Sequence, residues 1–336
     1  GLDADGWLIS EHPRHLYRFR GEKPGFRGLV LAGWNWHRTE KAPIRIRTDA
    51  ARAELADHMG NRTPVRIKDG VAEFPLSPTP RALILHAATR ADLAEADWTS
   101  WVDVFTGTAG RGHTPPAAAV PFGMVQAGPD TGAGDWAHCS GYQYGDTSVL
   151  GYSLNHLSGT GCPDYGDVRI LPFTGALGSN SVARAIDKGS EAASPGFYRV
   201  TQPDDGLTVE IAAAKRAAIY RISGDGKEGV KVLVDLSAGL GDDRWHPVST
   251  EAIAARTEGD DTLLADCLRS GWVSRRRIGC AIRFSRPWAR LERLPSGASS
   301  NAAPRFVAVF PSDERPLLVK AVFSTVDADG AAANLA

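Results

Sequence analysis

With 336 residues, 43% of them hydrophobic, the chain can bury a sizeable core and has room for two or three domains. Its 38 basic and 39 acidic residues are mixed along the sequence and leave a net charge of −1, which excludes the basic excess expected of a nucleic-acid or anionic-membrane partner. No apolar run approaches the ~18 residues of a membrane span, and 36 Gly, 21 Pro and 9 Trp suit an all-β, turn-rich chain.

The opening Gly1-Leu2-Asp3 has no initiator Met, basic n-region or apolar h-region, so it reads as a cut with no signal peptide in view. Short, bounded, apolar or alternating runs follow, at Arg27–Leu31, Ile44–Thr48 and Arg81–Leu85. Val65 to Phe74 reads as a hairpin turning at Asp69-Gly70, a pair that tolerates the positive φ of a type I′ turn. Residues 1–90 are therefore expected to form a small β-sandwich module. The Ala-rich, acidic stretch 88–97 could be a short helix or an ordered linker, and a domain boundary is placed at 91–101.

From Val102 to Phe173 the sequence is rich in Gly, Ser, Thr, Pro and His and has little periodicity. Ordering such loops costs about 1–2 kcal/mol per residue, so a long polar stretch inside a domain points to function. Strand-like runs resume at Leu207–Ile211, Ala218–Ile222, Val230–Asp235, Ile282–Phe284, Phe306–Phe310 and Leu317–Phe323. Turn signals at Asp204-Asp-Gly206 and Gly224-Asp-Gly226 separate them, and many strands with few helices predict a large antiparallel sandwich. The tail from Asp327 reads as a helix start capped by Asp327 or Asp329, with the chain stopping inside it.

The chemistry concentrates in Gly107-Thr-Ala-Gly-Arg-Gly-His-Thr-Pro-Pro116, Val120-Pro-Phe-Gly-Met124, Gly128-Pro-Asp-Thr131, Asp135-Trp-Ala-His-Cys-Ser-Gly-Tyr142 and Asn155-His-Leu-Ser-Gly-Thr-Gly-Cys-Pro-Asp164. These segments gather hydroxyls, imidazoles, carboxylates, an indole and glycine-exposed backbone amides. A sugar needs that mixture, because its ring faces present C–H groups to aromatics and its rim presents hydroxyls to polar groups.

In order and spacing these segments resemble the N-terminal domain signature of family 92 glycoside hydrolases. Pro195-Gly-Phe-Tyr-Arg-Val200, Ser270-Gly-Trp272, Phe284-Ser-Arg-Pro-Trp288 and Ala331-Ala-Ala-Asn-Leu335 extend the likeness over about residues 101–336. Asp103-Val104, Ala109, Pro115, Ala117, Gln143 and Leu154 depart from the pattern, which touches fine specificity. The resemblance implies a supersandwich-like β-domain, 102–336, ending before a catalytic (α/α)6 barrel. It implies an exo-acting, inverting, calcium-dependent α-mannosidase with α-1,2 as the expected linkage, acting on N-glycans or mannan and secreted, periplasmic or cell-surface. The general acid, the general base and most calcium ligands are expected on the barrel, so no catalytic residue and no metal ligand is assigned to this chain. The first module then resembles the trailing β-sandwich of an upstream carbohydrate-active domain.

Substrate contact is assigned to Trp136, Asp135, His156, His113, Thr160, Gly161 and Tyr142. Three of these have a plainer reading: a core indole for Trp136, an Asx turn for Asp135, a satisfied buried imidazole for His156. Asp164 and Asp167 could bind calcium, but structural pairing is the simpler expectation. Trp34-Asn-Trp36 could face a sugar or pack as strand aromatics. Cys139, Cys162, Cys267 and Cys280 form no CxxC pair, so buried free thiols are expected over zinc. Ser158-Gly-Thr-Gly161 lacks a following Lys, and no G-x-S-x-G elbow occurs, which sets aside nucleotide binding and a serine nucleophile. A non-catalytic carbohydrate-binding module using the same loops is the alternative.

Overall fold

The computed structural model describes residues 2–11, 14–23, 26–35, 43–94, 102–177, 182–241, 247–294 and 304–335. The chain divides into two compact units, 1–98 and 99–336.

The first unit holds β1 (Leu2–Glu11), β2 (Arg14–Lys23), β3 (Phe26–Asn35), β4 (Pro43–Thr48), β5 (Arg52–Ala56), β6 (Arg62–Val65), β7 (Ile67–Lys68), β8 (Val71–Pro75), β9 (Arg81–His86) and β10 (Ala91–Leu93). They form a six-stranded sheet, β1-β2-β3-β9-β5-β6, and a four-stranded one, β10-β4-β8-β7. Leu29, Leu31, Leu83 and Leu85 from the first sheet meet Ile44, Ile46 and Phe74 from the second in one apolar core. The expected type I′ geometry is present: Asp69 and Gly70 have φ of 50° and 74°, and Lys68 pairs with Val71. Only the β7–β8 part of the expected hairpin is one, because Val65 pairs with Ala53 in the other sheet. The helix or linker expected over 88–97 is corrected at Ala91–Leu93, which pairs with Ile46–Thr48 as an edge strand. Trp34 packs on Tyr17, with centroids 5.6 Å apart, and on His15; Trp36 lies outside the described residues.

The second unit holds β11 (Ala118–Ala119), β12 (Gln126–Asp130), β13 (Ser148–Val149), β14 (Gly151–Ser153), β15 (Arg169–Phe173), β16 (Arg184–Ala185), β17 (Asp187–Ser194), β18 (Phe197–Gln202), β19 (Leu207–Ala213), β20 (Ala217–Gly224), β21 (Lys231–Asp235), β22 (Ser249–Glu258), β23 (Thr262–Ser270), β24 (Arg276–Phe284), β25 (Arg290–Leu294), β26 (Arg305–Val309), β27 (Leu317–Ser324) and α1 (Ala328–Ala333). A seven-stranded sheet, β11-β12-β14-β15-β21-β26-β25, faces an eight-stranded one, β17-β18-β19-β20-β27-β24-β23-β22. Alternation does what it should on β19 and β20, where Leu207, Val209, Ile211 and Ala218, Tyr220, Ile222 turn inward. They meet Tyr152, Ile170, Val232 and Val234 of the opposite sheet. Polar links cross the same core: the Tyr152 hydroxyl donates to Gln202 Oε1 at 3.0 Å, and Gln202 Nε2 donates to the Pro172 carbonyl at 2.9 Å.

The helix start is as expected, with the Asp327 side chain accepting from Gly330 N–H at 2.7 Å. It lies so close to β24 that a Cβ at Gly279 would stand 2.0 Å from the Asp327 backbone. No helix among the described residues is long and apolar enough to cross a membrane.

Candidate functional site

The stretch 102–173 is not one continuous loop. β12, β14 and β15 run through it as members of the seven-stranded sheet. Pro129, Pro172, Gly128 and Gly151 lower its apparent strand propensity, while burial on both faces of Arg169–Phe173 removes the alternation. What remains as loop is 102–117, 120–125, 131–147 and 154–168, carried on strands of a packed sheet.

Two buried networks brace the 154–168 loop. In the first, fully buried Asp130 accepts from His156 Nε2 at 2.8 Å, from Arg169 Nε at 2.5 Å and from the Ser153 hydroxyl. His156 Nδ1 lies 2.8 Å from the Gln126 carbonyl, so both ring nitrogens are engaged. Burial pushes the Asp130 carboxyl up, but the Arg169 charge and the His156 and Ser153 hydrogen bonds outweigh it and hold the group below the usual carboxylate range. Gly141 is required beside it: φ is +84°, and a Cβ would stand 2.6 Å from Asp130 Oδ1.

In the second network Asp167 accepts from Arg269 Nε at 2.6 Å and from Asn155 Nδ2 and Arg276 Nη1 at 2.7 Å each. Its backbone N–H donates back to Asn155 Oδ1 at 2.8 Å. Burial raises this carboxyl too, and the two arginine charges with Asn155 bring it down overall. Asp164 accepts from the Tyr165 and Trp272 amides at 2.7 and 3.2 Å, with Arg276 at 3.5 Å. Asp164 and Asp167 are thus paired structurally. Backbone strain gathers in the same region: His113, Phe122, Tyr165 and Val168 all have φ between 53° and 67°. Left-handed non-glycine residues cost about 1–3 kcal/mol each and persist where the surroundings over-determine them.

On this braced base three loops converge. Trp136, 51% exposed, donates from Nε1 to the Gly161 carbonyl at 3.0 Å, tying 131–147 to 154–168. His113, 4% exposed, packs against the indole with centroids 4.4 Å apart at 68°. Its carbonyl accepts from Gly159 N–H at 2.6 Å, and its Nδ1 lies 2.9 Å from Cys139 Sγ. The Arg111 guanidinium sits 5.5 Å from the indole centroid. Beside Trp136, Asp135 holds His138 through its amide and Nδ1, both at 2.9 Å, and His138 Nε2 lies 2.9 Å from Asp146. Burial raises Asp135, yet the His138 hydrogen bonds and charge lower it overall.

The structure therefore brings Trp136, His113 and Gly161 together, with Thr160 exposed on the same turn, where its hydroxyl accepts from Cys162 N–H at 3.3 Å. Asp135 flanks them. His156 lies beneath, spent on Asp130 and Gln126. Tyr142 is fully buried and its hydroxyl donates to Glu191 at 2.9 Å; the exposed tyrosine of that segment is Tyr144, with Lys188 Nζ 4.7 Å from its ring centroid. Sequence reasoning missed Arg111, Arg169, Arg269 and Arg276 as organisers of the site. Nothing local marks them, since Arg169 and Arg269 reach carboxylates 39 and 102 positions away. All four cysteines are free thiols, with Cys162 half-buried and the others buried.

Residues 101–321 match the glycosyl hydrolase family 92 N-terminal domain, about two thirds of the chain. The chain belongs to this family. Its fold aligns with a GH92 α-mannosidase from Bacteroides thetaiotaomicron at 27% identity and a TM-score of 0.64, over 71% of this chain and 35% of that one. A GH92 inverting mannosidase from the same species, at 20% identity, shares the fold with a TM-score of 0.56, over 71% of this chain and 33% of that one. An uncharacterised secreted glycosidase of Arthroderma benhamiae is 28% identical over 187 residues, 51% of this chain and 24% of that protein. The family 92 chain described here thus spans about a third of the solved relatives and about a quarter of the fungal one.

Proposed function

We propose that this family 92 chain is the substrate-shaping N-terminal part of an exo-acting, inverting, calcium-dependent α-mannosidase that removes terminal α-1,2-linked mannose from N-glycans or mannan. The reading is carried by one observation: three braced loops present a half-exposed indole whose own N–H is already bonded. An indole in that state has no polar demand left, and its apolar face suits the C–H face of a pyranose. Trp136 is the stacking platform, and His113, Thr160, Gly161 and Asp135 supply rim contacts. His156 and Tyr142 act one layer down as braces.

Proton transfer belongs elsewhere on this reading. An inverting hydrolase needs two carboxyls about 6.5–9.5 Å apart, and its general acid needs a raised pKa. Asp130, Asp135 and Asp167 are all shifted the other way, by partners that consume their oxygens. Most calcium ligands are read as belonging to the catalytic domain; among the described residues no group of three or more His, Cys, Asp or Glu side chains comes together.

The partner surface for an (α/α)6 catalytic domain is read from exposed Phe122, Trp136, Trp272 and Val273. Export is supported by the likeness to the secreted fungal glycosidase. The first unit is read as the trailing β-sandwich of an upstream carbohydrate-active domain. A non-catalytic carbohydrate-binding module is the second reading, favoured by the lowered carboxyls. Calorimetric titration with α-1,2-mannobiose tests the platform: Trp136→Ala should weaken binding about tenfold or more. Unchanged affinity would remove Trp136 from the site.

A further inference from the structure

His113 has a polar atom that the fold leaves unused. Its Nε2 is buried and meets no hydrogen-bond partner among the described residues. Buried polar atoms are nearly always paired, so an orphan at a convergence of loops asks for an acceptor from outside. The other ring nitrogen, Nδ1, lies 2.9 Å from Cys139 Sγ. Burial, with the nearby Cys162, pushes the Cys139 thiol up to about 11, so the sulfur keeps its proton at physiological pH. A thiol is a donor and only a weak acceptor, whereas an unprotonated ring nitrogen accepts well. An S–H directed at Nδ1 makes that nitrogen the acceptor and leaves Nε2 to carry the ring proton. The indole packs edge-on against this ring, with centroids 4.4 Å apart, and is tethered through its own N–H to the Gly161 carbonyl at 3.0 Å.

We propose that Cys139 is a positioning residue that fixes His113 as the Nε2–H tautomer, and that this N–H donates to an oxygen of a pyranoside seated against Trp136. The proposal rests on the carbohydrate reading above and adds to it a directed donor and the thiol that aims it. The acceptor is a neutral hydroxyl or ring oxygen. Ser in place of Cys139 would keep the arrangement, since a hydroxyl also donates to Nδ1, whereas Ala would not.

The test is nitrogen NMR of histidine-labelled chain, with Trp136 fluorescence referenced to Trp136→Phe, during titration with α-1,2-mannobiose. The free chain should show His113 protonated on Nε2 and not on Nδ1. Mannobiose should shift the His113 Nε2–H signal together with the Trp136 emission. Cys139→Ser should retain the tautomer and the affinity. Cys139→Ala should lose the single tautomer and weaken mannobiose binding about five- to tenfold, with Trp136 still responding. A proton on Nδ1 in the free chain overturns the proposal, as does Cys139→Ala binding as tightly as the parent. So does a Trp136 response that leaves His113 unmoved, which would assign the N–H to the indole face and leave the carbohydrate reading standing. Silence at both residues overturns the proposal and the carbohydrate reading together.

Discussion

His138 shows how one side chain ties the site to pH. Burial pulls its pKa down, but the Asp146 and Asp135 carboxylates outweigh that and raise it overall. Its charged form is thus favoured by folding, so its contribution to stability is complete below about pH 6.5, the ordinary imidazole value, and is lost as pH rises through the higher folded value. Asp135 has the opposite sign: lowered in the fold, it contributes above its ordinary value near 3.8 and loses that as pH falls through its folded value. The Tm advantage of the parent over His138→Gln should therefore be largest at about pH 5–6 and shrink toward pH 9 in thermal melts. A gap that is flat across that range would contradict the assignment. At this scale the sequence was informative about chemistry and poor about exposure. Trp136 and Tyr142 stand in one motif, yet the first is half exposed and the second sealed beneath, because Glu191 and Lys188 arrive from another strand to cap the tyrosine hydroxyl.

The elements were legible where a local rule suffices. Asp69-Gly70 turns as its φ preferences require, Asp327 caps α1, and β19 and β20 alternate as a one-face-buried pair must. β12, β14 and β15 were hidden by proline, glycine and two-sided burial, and with them the link from the loops to the sheet. The paired β22 and β23, also unmarked in the sequence reading, supply Arg269 to Asp167 through that same long-range assembly. The Asp130 network is the keystone of this level. Asp130→Ala would leave the Arg169 charge and the His156 ring buried without their carboxylate. Removing one partner of such a buried pair costs about 3–5 kcal/mol. Urea unfolding should show that loss; a change under about 1 kcal/mol would mean water reaches Arg169 and His156 in place of the carboxylate.

Across the whole molecule, the family 92 resemblance was legible in the order and spacing of motifs concentrated in 102–173, and the match over residues 101–321 shows the family. The loops 131–147 and 154–168 leave β12 and β14, which pair with each other in one sheet, so segments separated in sequence become neighbours in space. The division of labour is the part that no single motif carries. As proposed, it rests on carboxylates committed to arginine, histidine and asparagine, beside a half-exposed indole. The most direct measurement is mannose release from α-1,2-mannobiose by the purified chain, with calcium and without. The account predicts binding that perturbs Trp136 and no release of mannose under either condition. Release by this chain alone would place a working acid and base within it and contradict the account.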